Sequence, residues 1–95
     1  MMQTDVKSTH LNASGVVFAG RTRLKAFSCV GHPTLNSTIQ FRDGGASGAI
    51  LCEVDIPFNS NPNSFFNLIP VEGILFQTSV YALITNASSL TAYYG

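Results

Sequence analysis

The chain has 95 residues, 45% of them hydrophobic and only 11% charged, with five Lys and Arg balancing five Asp and Glu. That length allows one small domain with a limited core, and the composition is too apolar for a disordered chain. Zero net charge excludes the basic excess that nucleic acid or an anionic membrane surface requires, and it removes the self-repulsion that keeps copies apart.

Residues 1–14 mix Gln, Thr, Asp, Lys, Ser and Asn without periodicity. They are expected to form an extended N-terminal arm, either frayed or crossing onto a neighbour, and its removal is expected to leave the rest folded. The first ten residues lack the apolar stretch of a signal peptide, and no apolar run is long enough to span a bilayer. Cys29 and Cys52 are therefore expected to stay reduced and unpaired. Asn12, Asn36 and Asn86 each begin an Asn-x-Ser/Thr sequon, read as turn residues and not glycan sites.

From residue 15 to residue 95 the pattern is one of short apolar runs broken by Gly, Pro, Asn, Asp or Ser, which predicts a single β-sandwich domain. Residues 16–19 form the first run. Residues 23–30 follow, with Leu24, Ala26, Ser28 and Val30 on one side and Arg23, Lys25, Phe27 and Cys29 on the other. Residues 38–42 alternate cleanly, placing Ile39 and Phe41 inward and Thr38, Gln40 and Arg42 outward. Asp43, Gly44 and Gly45 are a strong turn signal, because glycine supplies the positive φ that tight turns demand. Residues 49–56 alternate again, with Ile50, Cys52, Val54 and Ile56 inward and Glu53 and Asp55 exposed. The pair predicts an antiparallel hairpin. Residues 57–63 hold two prolines and three asparagines, which stop any ladder. Runs at 64–69, 74–78, 80–84 and 90–94 complete about eight short strands. No apolar stripe recurs at helical spacing. The expected fold is all-β, a small antiparallel β-sandwich or jelly-roll-like barrel with an N-terminal arm.

Several of these runs are apolar on both faces, including Phe65 beside Phe66, residues 74–76, residues 81–84, and Tyr93 beside Tyr94. A strand with one wet face should alternate, so surplus apolar surface is available for a partner. Phe58, Phe65, Leu75, Tyr81, Leu83 and Tyr93 are the candidate interface residues.

Reactive constellations are weak. Cys29 and His32 have a Cys-x-x-His spacing and could join Cys52 and His10 in a zinc site, but structural zinc usually shows two compact ligand pairs. A Cys29–His32 nucleophile would need a cleft and an orienting acid. Glu53 and Asp55 lie two apart on one strand face, where a solvated role is expected in place of acid–base work. Arg21, Arg23 and Lys25 put positive charge at alternate positions, which suits an acidic partner or the protection of an edge strand. No catalytic residue, metal ligand set or cofactor is assigned.

Certain segments resemble a known group. They are residues 2–8 (MQTDVKS), 23–26 (RLKA), 41–48 (FRDGGASG), 68–76 (LIPVEGILF), 80–86 (VYALITN) and 90–95 (LTAYYG). Together they are similar to the small virion structural proteins of marine tailed bacteriophages, notably those of cyanobacteria. Val71 stands where that pattern has a Gly in its Pro-x-Glu-Gly turn. The resemblance implies a capsid decoration or cement protein on the outer surface of the virion, assembled in the host cytoplasm. Its implied partner is the major capsid protein; the two-faced apolar strands and zero net charge separately predict association with copies of itself, as a trimer. A tail, neck or fibre component is the alternative within that class. A carbohydrate-binding module with Tyr81, Tyr93, Tyr94 or Phe58 as sugar platform is the alternative outside it, weakened by the lack of Trp.

Overall fold

In the computed structural model, which describes residues 6–58, 64–69 and 73–95 (backbone alone for 64–68), every regular element is a β-strand. The strands are β1 (Lys7–Leu11), β2 (Gly15–Phe18), β3 (Thr22–Val30), β4 (Ser37–Asp43), β5 (Ala49–Ile56), β6 (Ser64–Leu68), β7 (Ile74–Phe76), β8 (Val80–Thr85) and β9 (Ser89–Tyr94). They form two sheets of antiparallel neighbours, ordered β1-β9-β3-β6 with β7 also on β3, and β2-β8-β4-β5. Because β6 pairs with the end of β3 and β7 with its start, the two short strands occupy one position. The interleaved order is that of a jelly roll, in which most successive strands change sheet.

The β4–β5 hairpin follows directly from the sequence. Ile39 and Phe41 are fully buried, while Thr38, Gln40 and Arg42 lie on the other face. Gly44 and Gly45 have φ of 100° and 103°, which side-chain-bearing residues rarely adopt. A Cβ on Gly48 would collide with the Asp43 carbonyl, so three glycines serve one loop.

Two bulges decide which side chains face inward. Leu24 pairs with Tyr94 but Phe27 pairs with Ala92, so β3 spends one residue more than β9 around Lys25. The extra residue moves the core face from even to odd positions, and Leu24, Phe27 and Cys29 all enter the core. The uninterrupted alternation expected for residues 23–30 is corrected accordingly. Similarly, Phe41 pairs with Cys52 and Arg42 with Ile50, leaving Leu51 as the extra residue of β5. Cys52, Val54 and Ile56 turn inward as expected, but Ile50 shares the outward face of Arg42 and is 45% exposed.

Between the sheets lie Phe27, Phe41, Phe76, Leu24, Ile39, Leu90 and Val80, all fully buried. Burying each such side chain contributes roughly 1.5–3 kcal/mol. Phe27 and Phe41, from opposite sheets, meet at a ring-centroid distance of 5.0 Å and a tilt of 55°. Phe18 and Tyr94 meet at 5.0 Å and 32°.

The stretch expected to be an arm is in part a strand. Lys7–Leu11 pairs along β9 from Tyr94 to Leu90, and Thr9 Oγ1 donates to the Val17 carbonyl at 2.9 Å, tying β1 to β2. The sequence conceals this because an edge strand can open on an exposed Lys and carry Ser and His outward. Residues 1–5, 59–63 and 70–72, with the Val71 turn, lie outside the described residues.

Candidate interaction surface

Strand alternation assigns each candidate interface residue to a face. Val80 and Ala82 are buried on β8, so Tyr81 and Leu83 point outward from the β2-β8-β4-β5 sheet. Tyr94 is buried on β9, which turns Tyr93 to the outside of the other sheet. Leu75 lies between Ile74 and Phe76, both packed in the core, and so also faces outward from that second sheet. Phe58 follows β5 and is 57% exposed, its amide held by the Asn36 side chain at 3.1 Å. The Phe65 side chain lies outside the described residues. The candidates therefore form no single patch. Tyr81 and Leu83 occupy one outer face, Tyr93 and Leu75 the opposite one, and Phe58 the end of β5.

The strands of the face bearing Tyr81 all lie within the described residues. Across it runs a row that sequence reasoning missed: Val16 pairs with Tyr81, Tyr81 with Arg42, and Arg42 with Ile50. Val16 and Ile50 are 50% and 45% exposed. Only the β5 bulge brings Ile50 here, and no sequence signal marks that bulge. A neighbouring row runs from Leu83 through Gln40 to Glu53. The two rows are tied together. Arg42 donates to Gln40 Oε1 from Nη2 at 2.7 Å and from Nε at 3.2 Å, and to the Ala46 carbonyl at 2.9 Å. Gln40 Nε2 in turn donates to Glu53 Oε2 at 2.8 Å, and Thr38 Oγ1 to Asp55 Oδ1 at 3.1 Å. Long polar side chains fixed in advance lose less entropy when a partner binds.

The possible reactive groups do not converge. Cys29 lies in the core, where burial pushes its thiol up to about 11, and Cys52 is also raised by burial. Both thiols are free. His32 Nδ1 accepts the amides of Thr34 and Leu35, each at 3.1 Å, so the ring organises its own turn. His10 Nδ1 pairs with Thr91 Oγ1 at 2.8 Å on the outside of β1. Cys29, His32, Cys52 and His10 thus form no zinc site, and among the described residues no group of three or more His, Cys, Asp or Glu could hold a metal ion.

Asp43 has a structural duty. Its carboxylate accepts the amides of Thr78 at 2.9 Å, Gln77 at 3.0 Å and Ser79 at 3.3 Å, closing the β7–β8 turn. These bonds, led by those from Thr78 and Gln77, hold its carboxyl below the ordinary range. A shallow groove of about 400 Å³, lined by Asn36, Ser37, Thr38, Asp55, Ile56 and Pro57, lies at the end of the hairpin. Its polar groups bond to one another or to the main chain, as Asp55 does to Thr38 and Asn36 to Phe58. No helix among the described residues is long and apolar enough to cross a membrane.

No protein-family model matches the chain, and no curated protein matches it. Among solved structures it is similar to a chain described as "Bacillus endospore appendages form a novel family of disulfide-linked pili". The two are 19% identical, with 95% of this chain and 84% of that one covered, at a TM-score of 0.48.

Proposed function

We propose that the protein is a non-enzymatic structural component of a phage virion, a capsid decoration or cement protein that binds the outer surface of the shell. It holds neighbouring major capsid proteins together, needs no cofactor and acts on no small-molecule substrate. One observation carries this reading: outward aromatic and aliphatic side chains lie on both outer faces of the sandwich, Tyr81 and Leu83 on one and Tyr93 and Leu75 on the other. A domain with two such faces can touch two neighbours at once. The likeness of its strand and turn segments to small phage virion proteins supports the same role.

The energetics suit the role. A cement protein binds the closed shell and not the opened one, so it shifts the shell toward closure by mass action. An interface of ordinary size takes about 800 Å² from each partner, a modest share of the 5423 Å² this chain exposes. Tyr side chains at such faces are the expected anchors. The test is the copy number of the protein relative to the major capsid protein in purified particles. Decoration requires copies in proportion to the shell. A handful of copies per particle, located on the tail, would replace it with a tail, neck or fibre role.

A further inference from the structure

The face carrying Tyr81 bears both signs of charge, and their placement is self-complementary. We propose that this outer face of the β2-β8-β4-β5 sheet docks onto the same face of a second copy of the chain, making a two-fold dimer. The proposal deepens the structural role above by naming the surface through which copies meet.

The strand register sets the geometry. Gln40 lies opposite Glu53 and Leu83, and Arg42 opposite Ile50 and Tyr81. Arg42 and Glu53 are therefore diagonal neighbours on adjacent strands. Consider a two-fold axis in the plane of the face, midway between these residues and at right angles to their diagonal. It sets Arg42 of each copy against Glu53 of the other. Strands lie about 4.8 Å apart, and side chains on one face repeat about every 6.8 Å along a strand. On that grid the same axis runs close to Ile50 at one end, Gln40 in the middle and Leu83 at the other end, so each meets its own counterpart. Tyr81 then lies over the Thr38 and Asp55 row. Ile50, Leu83 and the Gln40 amide meet their counterparts on the axis, and the charge pair forms twice, once on either side of it, as in any isologous interface.

Both charges are available for this. Gln40 engages one oxygen of Glu53 and Thr38 one oxygen of Asp55, and neither carboxylate meets a cation among the described residues. Arg42 is held flat by Gln40 and Ala46 through three of its five N–H groups, which leaves two for a partner. The hydrogen bonds within the face hold these groups before any partner arrives.

The size of the face sets the strength. Four strands overlapping by some six residues cover about 400 Å² per copy, about 800 Å² in total and short of the roughly 1,000 Å² that a stable interface clears, so the contact is a transient one. Such a dimer is weak, with a dissociation constant of about 10–100 µM. In a shell that holds many copies close together, it would be occupied.

The experiment is sedimentation of the purified full chain from about 5 µM to about 500 µM, spanning that range. Wild type is expected to pass from monomer to dimer. Arg42→Glu and Glu53→Arg, each leaving like charges opposed across the axis, are expected to weaken self-association at least about tenfold. Mixing the two variants is the sharper arm, because a heterodimer of R42E with E53R restores both opposite-charge contacts. The mixture is expected to regain wild-type association while each variant alone stays monomeric. Because the rescue occurs between molecules, it excludes misfolding as the cause, and circular dichroism of each variant checks this independently. Leu83→Asp, on the axis, is expected to abolish dimers in every combination. A wild type that stays monomeric throughout, a trimer, or a mixture that fails to recover would overturn the proposal. None of these results bears on whether the protein is found on capsids, so the two readings fail separately.

Discussion

The contact between Phe27 and Phe41 joins the two sheets at the core, and a double-mutant cycle across it tests the packing. Both rings are fully buried and their centroids lie 5.0 Å apart. Truncation to Ala would cost about 3–5 kcal/mol, against a total of about 5–14 kcal/mol for a chain of this length. That loss is too large for reliable measurement, so Leu is the better substitution. Phe27→Leu and Phe41→Leu each lose ring contacts while keeping most of the volume, for an expected cost of about 1–2 kcal/mol. At roughly 4–8 °C per kcal/mol, each single variant should melt about 5–15 °C below wild type. The double variant should be less destabilised than the sum of the singles by about 0.5–1.5 kcal/mol, the part that belongs to the ring pair. Urea unfolding followed by far-ultraviolet circular dichroism gives these values, provided the slope with denaturant is unchanged. Additive costs would show that the rings do not interact, and the packing of the two sheets described above would be wrong.

Other consequences follow from single features. Burial raises both thiols, and at pH 8 a Cys29 thiol at about 11 holds about a hundredfold less thiolate than one at its ordinary value. Alkylation of the native protein should therefore be slow, while denaturant without reductant should expose two alkylatable thiols by intact mass; zero adducts would reveal a disulfide. Since the unfolded chain releases the Cys29 proton near 9 and the folded chain only near 11, stability should decline as pH rises across that window. Asp43 has the opposite sign. Its lowered carboxyl contributes stability above the ordinary range of an unfolded Asp, lost as pH falls through the folded value, so Asp43→Asn should be less stable at neutral pH and flatter in acid titration. Gly73 has φ of 80°, and a Cβ there would strike the Leu24 carbonyl, so Gly73→Ala should cost about 1–3 kcal/mol by thermal melting. Deleting residues 1–14 removes β1 and uncovers β9, so it should unfold the domain or lower its melting temperature sharply; a deletion mutant as stable as wild type would contradict the pairing of Lys7–Leu11.

Local signals in the sequence account for the β4–β5 hairpin. Alternation placed Ile39 and Phe41 inward, and Asp43, Gly44 and Gly45 marked the turn. The inward face of β3 was not legible, because the bulge at Lys25 is set by pairing with β9, some 65 residues further along the chain. β1 was hidden for a related reason. Thr9 and Leu11 turn inward between outward Ser8 and His10, a pattern too polar to stand out without its partner strand. Apolar residues on both faces were readable as a class, and Tyr81, Leu83 and Tyr93 do point outward. Their division between opposite faces was not readable, since it depends on a strand order built from distant segments. Alternation alone points Ile50 inward, and the extra residue Leu51 turns it out, completing the row with Arg42 and Tyr81.

The proposed stabilisation of a shell by this domain is tested most directly by release of DNA from particles. Particles with the protein, particles without it, and stripped particles with the purified chain added back are heated or osmotically shocked while DNA release is recorded. Earlier release is expected from particles lacking the protein, with recovery on add-back and less recovery with Tyr81→Ala or Tyr93→Ala chains. Identical release profiles in all three, with the protein located on the tail, would contradict it.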